Sequence, residues 1–126
     1  MSGGLPEGRN AVVRGLDVEL ELERVDAADT VSGEPRQGIL ELGAVGATQL
    51  GIWELRGGAV TDTEVDECFV VLSGAAVIEL LEVPGRPEEA GRTIEVGAGY
   101  VMRLVAGTRT RWTVDEHVRK VYLAAE

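Results

Sequence analysis

The fold class of this chain is decided by residues 67–83, which read ECFVVLSGAAVIELLEV. Two compact apolar runs, 68–72 and 76–83, lie on either side of Ser73-Gly74, a pair typical of tight turns. Short apolar runs that are rich in valine and leucine and bounded by turn residues are typical of buried strands. We therefore predict two consecutive strands joined by a turn.

Strand and turn signals continue on both sides of this stretch. Residues 84–91 contain two prolines and two glycines, so they predict an exposed hairpin loop and exclude a central strand. Upstream, two short strands are predicted around a glycine-rich linker at residues 43–46. No window of ten or more residues has helical spacing of its apolar residues. The remaining predicted strands are Gly38–Leu42, Thr48–Leu55, Thr93–Val96, Tyr100–Val105, Arg111–Val114 and Val118–Ala124.

The N-terminal third has a different pattern. Residues 1–10 are small and polar and predict a loose leader without the features of a signal peptide. Residues 17–24 alternate strictly between charged and apolar side chains, which predicts a half-buried strand. Residues 25–37 are rich in turn formers and predict a loop. Together with the strands that follow, these signals predict a single all-β domain, 1–126, built as a closed barrel or a sandwich.

The composition excludes several classes of function. The 126 residues carry 12 basic and 22 acidic side chains, a net charge of −10, which disfavours nucleic acid as a partner. Because the chain has one cysteine, Cys68, and one histidine, His117, neither an internal disulfide nor a zinc site of several Cys and His ligands can form. No apolar stretch approaches the ~20 residues that span a membrane. A free cysteine without an export signal favours the cytoplasm.

Two glycine-punctuated segments resemble the motifs of the cupin superfamily. The first cupin motif places a glycine after six intervening residues beyond a glutamate, as Glu67 and Gly74 are placed here, within residues 57–74. The second motif spans about 99–114, where Gly99, Gly107 and Thr110 take the positions of its two glycines and its final ligand. The resemblance implies a double-stranded β-helix, the jelly-roll barrel of cupins.

The resemblance narrows to the ureidoglycine aminohydrolase-like cupins, also called cupin_3 or DUF861. Residues 51–54, 106–114 and 119–122 are similar to this group. Metal-binding cupins carry His-x-His where this chain has Thr61-Asp62-Thr63, and their last ligand falls on Thr110. Threonine hydroxyls are poor ligands for transition metals. The comparison therefore implies that the metal ligands are missing, and we expect no metal and no other cofactor.

Glu67 is the strongest candidate for a catalytic residue. The barrel implied by the resemblance points its carboxylate into the cavity, where desolvation raises a carboxyl pKa toward the range useful for acid–base catalysis. A buried carboxylate satisfied by structural partners is the alternative. Residues 62–67 include four acidic side chains. They do not form an EF-hand calcium loop, because Glu67 and Ser73 occupy the positions where that loop needs a glycine and a glutamate. We interpret this segment as a solvated acidic loop at the barrel mouth, with weak Mg²⁺ or Ca²⁺ binding left open.

Several larger side chains are candidates for the wall of a ligand pocket, with core or dimer packing as the alternative. His117 is interpreted as an exposed turn residue and Cys68 as part of an apolar layer. Lys120, the only lysine beside eleven arginines, is interpreted as a peripheral salt-bridging residue. The predicted pocket residues are Trp53, Thr61, Thr63, Glu67, Tyr100, Met102, Thr110 and Trp112.

Three functional hypotheses remain from the sequence. The first is a metal-independent barrel that binds a small molecule, neutral or cationic because the acidic excess repels anions. The second is an enzyme that acts on a small polar metabolite through Glu67 or a non-standard metal site. The third is a structural module whose role is dimerisation, and a homodimer is expected because barrel edge strands need cover.

Overall fold

The computed structural model describes residues 4–125, and this part of the chain contains strands and single turns of 3₁₀ helix but no α-helix. The prediction of an all-β fold is confirmed. The 3₁₀ turns are Gly15–Asp17, Ala27–Asp29 and Pro87–Glu89. The strands are β1 (Glu23–Arg24), β2 (Thr30–Val45), β3 (Thr48–Thr63), β4 (Glu67–Glu82), β5 (Thr93–Gly97), β6 (Val101–Leu104) and β7 (Arg109–Ala125).

The strands form one antiparallel sheet in the order β1-β2-β3-β7-β4-β5, with β6 paired to the first half of β4. The C-terminal strand β7 is therefore central and pairs with both β3 and β4 along most of its length. Register shifts interrupt the pairing of every long strand, and such bulges bend a sheet. The inner face carries the core, which includes Leu55, Phe69, Val71, Ile78, Leu104, Trp112, Val118 and Tyr122.

The prediction of a tight turn at Ser73-Gly74 is wrong. The chain continues through this point as one strand, β4, with register shifts against β7 on both sides of Gly74. Gly74 has a φ of +78°, and a β-carbon there would overlap the carbonyl oxygen of His117 on β7. The glycine therefore bends the strand where two backbones meet closely, and it does not reverse the chain.

The C-terminal strands were also predicted as separate elements. Residues 111–114 and 118–124 belong to one strand, β7. The acidic pair at residues 115–116 forms a bulge against β3, and the strand continues through it. β2 likewise begins at Thr30, inside the predicted loop 25–37, because register shifts against β3 accommodate the turn-forming residues of this segment. The buried Pro35 lies at a register shift between β2 and β3, where its missing N–H breaks no ladder bond.

The alternating segment 17–24 is only in part a strand. Val18, Leu20 and Leu22 are half-buried while the acids between them are exposed, so the predicted faces are correct. Only Glu23–Arg24 pairs with β2, however, and Gly15–Asp17 forms a 3₁₀ turn. Backbone carbonyls of this region accept hydrogen bonds from the Arg119 side chain. Hydrogen bonds from the Arg119 side chain thus hold part of the segment for which a paired strand was predicted.

Other local predictions fit the structure. Residues 84–91 form an exposed loop between the antiparallel pair β4 and β5, as expected. In the predicted leader, residues 4–10 form no strand or helix and Leu5 bonds to Leu42 of β2, while residues 1–3 lie outside the described residues. Between residues 4 and 125 no helix is long and apolar enough to cross a membrane.

Candidate functional site

A partly open cavity of about 270 Å³ lies inside the barrel, between β3, β7 and the segment that follows β3. This volume lies just below the usual range of ligand sites, which is roughly 300–1,000 Å³. Its walls combine indole rings and aliphatic side chains with several ionisable groups. The lining residues are Val25, Asp29, Gln37, Ile39, Trp53, Val60, Thr61, Asp62, Glu64, Val65, Glu67, Trp112, Lys120, Tyr122 and Ala124.

A buried ion pair forms part of the cavity wall. Lys120 Nζ on β7 lies 2.7 Å from Glu67 Oε2 on β4, and the two side chains are 7% and 9% exposed. The same ammonium lies 4.8 Å from the ring centres of Trp53 and Trp112 and 4.4 Å from that of Phe69. The ammonium is therefore stabilised by one carboxylate and by three aromatic faces.

Glu64 is a second buried carboxylate in the wall. Its Oε2 atom accepts hydrogen bonds from Thr110 Oγ1 at 2.6 Å and from Trp112 Nε1 at 3.0 Å. Its backbone is fixed as well, because Glu64 N donates to Thr108 O and Glu64 O accepts from Gly107 N, both at 2.8 Å. Two buried donors on β7, Thr110 and Trp112, therefore hold this carboxylate in one orientation.

Asp62 is exposed at the rim of the cavity, but the surrounding protein atoms still remove much of its hydration. This desolvation, reinforced by the nearby Glu64 carboxylate, raises the pKa of Asp62 to about 6. A hydrogen bond from the backbone N–H of Thr63 and the Lys120 charge act in the opposite direction and are weaker. Asp62 therefore changes its charge near neutral pH.

Replacing Asp62 by Asn should remove a pH-dependent penalty on folding. A carboxyl group whose pKa is raised in the folded state binds more protons there than in the unfolded chain, so stability falls as pH rises from about 4 to about 6. We expect Asp62→Asn to raise the melting temperature relative to wild type at pH 7.5 and to leave it unchanged below pH 4. Calorimetric melting across this range is the measurement, and an equal effect at both pH values would contradict the assignment.

The structure brings together four of the eight predicted pocket residues: Trp53, Thr61, Glu67 and Trp112 all line the cavity. Thr110 is fully buried behind the wall, where it donates to Glu64. Thr63 lies on the exposed rim and accepts a bond from Arg109. Tyr100 is 58% exposed, and Met102 packs against the core, so neither lines this cavity.

The two buried charged residues of the cavity wall that were not predicted as pocket residues are Glu64 and Lys120. Glu64 was assigned to a solvated loop, and Asp62 and Asp66 are indeed exposed, but Glu64 is buried. The interpretation of Lys120 as peripheral is wrong, although it does form a salt bridge. A signal existed: in β7 Lys120 alternates in phase with the buried Val118 and Tyr122, which places it on the inner face.

His117 lies in β7 and not in a turn, because the two predicted C-terminal strands are one. Its Nε2 atom lies 3.0 Å from the hydroxyl of Ser73 at the bulge of β4. The ring is half-buried and is not among the cavity-lining residues. The sequence offered no way to see this contact, since the two residues are 44 positions apart.

Comparison with known families agrees with this architecture. A family model described as "EutQ-like cupin domain" matches residues 42–122, more than half of the chain. This chain belongs to the EutQ-like cupin family. The expected cupin barrel is thereby confirmed. No curated protein gives a significant match.

Solved structures share the fold of this EutQ-like cupin. Clostridium difficile EutQ superposes with a TM-score of 0.66 at 15% identity over 90% of this chain and 85% of that one. A DUF861 protein of unknown function from Pseudomonas syringae gives 0.69 at 20% identity, over 86% of this chain but only 45% of that chain. A putative ethanolamine utilization protein Q from Salmonella typhimurium gives 0.56 at 17% identity, over 85% and 95%. At these identities the likeness shows the fold alone.

The residues of this EutQ-like cupin do not fit the transition-metal centre of metal-binding cupins. Thr110, which the motif resemblance aligns with the last ligand position, donates its hydroxyl to Glu64. Glu67 is paired with an ammonium at 2.7 Å, whose charge opposes a metal cation at that carboxylate. Within residues 4–125 no group of three or more His, Cys, Asp and Glu side chains is arranged to hold a metal ion.

Proposed function

We propose that this EutQ-like cupin binds a small organic molecule in its barrel cavity, with the Glu67–Lys120 pair as the polar anchor. The observation that carries the proposal is the burial of three charged side chains, those of Glu64, Glu67 and Lys120, in the wall of one cavity. Burying charge is costly unless partners compensate it. A core that only needed stability would be served as well by apolar residues of the same volume.

The walls suit a ligand that is part apolar and part polar. Trp53 and Trp112 meet edge to face with ring centres 5.2 Å apart and provide an angled aromatic wall. The Trp53 indole N–H donates a hydrogen bond to Gln37 Oε1 at 3.3 Å, which restrains the ring position. Convergent polar groups beside aromatic surface are the usual composition of small-molecule sites.

Replacing Glu67 by Gln should abolish or strongly weaken ligand binding. The change keeps the side-chain volume but removes the anionic partner of Lys120. The measurement is a thermal-shift screen of small amines, amides, acids and nucleosides, since a ligand that binds the native state raises its melting temperature. We expect compounds that stabilise wild type to lose roughly tenfold or more in affinity for Glu67→Gln. Glu82→Gln, on the exposed end of the same strand, is the matched control and should bind normally. Equal stabilisation of wild type and Glu67→Gln would count against the proposal.

One observation favours catalysis as a second candidate function. Asp62, with its pKa of about 6, can both accept and donate a proton at neutral pH, which suits a general acid–base. Glu67 is less free for this role because its carboxylate is held by Lys120. If the cavity converts a ligand, product should accumulate with wild type, and Asp62→Asn should bind the compound without converting it. NMR spectra of the mixture, recorded over hours, measure this.

We also propose that the protein forms a homodimer through the outer face of β6, β4 and β7. Val70 pairs with Val101 and Val121, and Cys68 pairs with Leu123 and with the exposed Arg103, so this face is mostly apolar and carries one arginine among these residues. Val101 is 70% exposed and Leu123 42%. A chain with a net charge of −10 can approach its copy most easily through a face whose paired residues include no acidic side chain.

Light scattering should therefore give the mass of a dimer for wild type. Val101→Glu, which places a charge on the proposed face, should give a monomer, while Val45→Glu at the exposed end of β2 should remain a dimer. A wild-type monomer at micromolar concentration would contradict the interface. The cytoplasmic location stays a prediction from the sequence, and the free Cys68 is consistent with it.

A further inference from the structure

The cavity offers many more hydrogen-bond acceptors than free donors. Four carboxylates line it, from Asp29, Asp62, Glu64 and Glu67, against a single cationic side chain, Lys120. The Lys120 ammonium is already engaged by Glu67 and by three ring faces. The indole N–H of Trp112 is used as well, because it donates to Glu64. A ligand in this cavity therefore meets carboxylate oxygens that still need donors.

Glu64 is the clearest of these acceptors. It is 6% exposed, lies in the cavity wall, and accepts both of its side-chain hydrogen bonds through Oε2. Oε1 is left as the oxygen available to a ligand. Oε1 is not among the fully buried side-chain atoms that lack a partner within residues 4–125, so it is accessible from the cavity. The Glu64 carboxylate is therefore held through Oε2, and Oε1 can accept a hydrogen bond from a donor in the cavity.

Asp62 lies close enough to Glu64 for the two charges to repel each other, and this repulsion contributes to the raised pKa of Asp62. The groups whose charges act on Asp62 come from three directions: Asp29 from the 3₁₀ turn Ala27–Asp29, Lys120 from β7, and Glu64 itself. Two of these three are negative. A cation placed between Asp62 and Glu64 would relieve the repulsion and keep both carboxylates ionised.

An acidic groove continues from the cavity toward solvent. The groove shares Asp29, Gln37, Ile39 and Trp53 with the cavity, so the two spaces have a common wall. Its ionisable residues are one arginine and five acids, namely Arg24 against Glu19, Glu21, Glu23, Asp26 and Asp29. Clefts lined by one sign of charge concentrate counter-ions and raise the rate at which they arrive.

We propose that the ligand of this cavity is a small organic ammonium ion whose N–H groups are shared by Asp62 and Glu64, with its hydrocarbon part against the two tryptophans. The inference rests on the proposed function, since it names the ligand class of the same cavity. A second ammonium at the far end of the ligand would extend into the acidic groove. An organic cation suits the site better than a metal ion, because within residues 4–125 the four lining carboxylates form no group of three that could hold a metal ion, while an aromatic wall stands beside them.

Isothermal titration calorimetry with four compounds of similar length tests the proposal: 1,4-diaminobutane, butylamine, 1-butanol and butyrate. At pH 7.5 we expect the two amines to bind, the diamine more tightly, and the neutral and anionic compounds to bind at least about tenfold more weakly. Asp62→Asn should reduce the affinity for butylamine by about tenfold. Glu95→Gln, on the exposed part of β5, is the control and should leave this affinity unchanged. Binding should also weaken from pH 7.5 to pH 5 as Asp62 takes up a proton.

The outcomes separate this inference from the proposed function. If 1-butanol or butyrate binds as tightly as butylamine and Glu67→Gln abolishes that binding, the cavity is a ligand site and the ammonium class is wrong. If Mg²⁺ or Ca²⁺ binds in the same calorimeter while neither amine does, the carboxylates form a metal site and the inference is overturned. If none of the four compounds binds and the wider thermal-shift screen is also negative, both proposals fail.

Discussion

Lys120→Met is expected to destabilise the fold by about 3–5 kcal/mol, the usual cost of removing one partner of a buried ion pair. Lys120 and Glu67 lie 2.7 Å apart with side chains 7% and 9% exposed, so solvent cannot replace the lost ammonium. Three aromatic faces lose their cation at the same time. The measurement is the free energy of unfolding from guanidinium titrations at pH 7.5.

The double variant Lys120→Met/Glu67→Leu is the control for this prediction. It removes both charges and keeps apolar volume, and such replacements are often neutral or stabilising. We expect the double variant to regain most of the stability that Lys120→Met loses and to bind no ligand. A recovery of stability with intact ligand binding would show that the pair is structural and has no part in the site. A loss below about 1 kcal/mol for Lys120→Met would show that the pair is solvated.

Arg119→Met is expected to have an effect of similar size, about 3–5 kcal/mol, for a different reason. Arg119 Nε donates to Glu54 Oε1 at 2.7 Å, and its Nη1 donates to the carbonyls of Gly15 and Val18 at 2.8 and 2.7 Å. The guanidinium therefore connects the barrel wall to the N-terminal segment. Its loss should release residues 15–18, which hydrogen exchange detects as faster exchange in this segment than in β7.

Arg56→Ala is the matched control, because Arg56 contacts the same Glu54 carboxylate from a side chain that is 52% exposed. Exposed ion pairs contribute roughly 0–1 kcal/mol, so this variant should remain close to wild type. Equal losses for Arg119→Met and Arg56→Ala would contradict the role given to Arg119 as an anchor of the N-terminal segment.

The Glu54 network also makes the fold sensitive to acid. Burial by itself raises the pKa of Glu54, but the hydrogen bonds and charges of Arg119 and Arg56 outweigh it and lower the pKa below its ordinary value. The folded state therefore binds fewer protons than the unfolded chain at this position. The stabilisation is complete above the ordinary glutamate pKa of about 4.3 and is lost as pH falls through the lower pKa of the folded state.

Much of the fold followed from local pattern. Alternation along residues 17–24 gave the correct inner face, and prolines and glycines located the exposed loop 84–91. The bounds of the long strands did not follow, because bulges at Gly74 and at residues 115–116 contain the same residues that usually form turns. Sequence alone does not tell whether such residues bend a strand or reverse the chain, since the choice depends on the partner strand.

The site was less predictable than the fold. Glu67 could be placed in the cavity because its spacing to Gly74 follows a family motif, and the tryptophans because they are large and rare. Lys120 and Glu64 were missed because charged residues are exposed in most proteins, and here long-range partners bury them. The partner of Lys120 lies 53 residues away, and those of Glu64 lie 46 and 48 residues away.

Intrinsic tryptophan fluorescence tests the central claim most directly, because Trp53 and Trp112 are the only tryptophans and both line the cavity. The measurement is a titration of wild type and Glu67→Gln with each compound that raises the melting temperature. Binding in the barrel predicts a saturable change of emission in wild type that is lost in Glu67→Gln. Stabilising compounds that leave the emission unchanged, or that change it equally in both proteins, would contradict a ligand site built on Glu67 and Lys120.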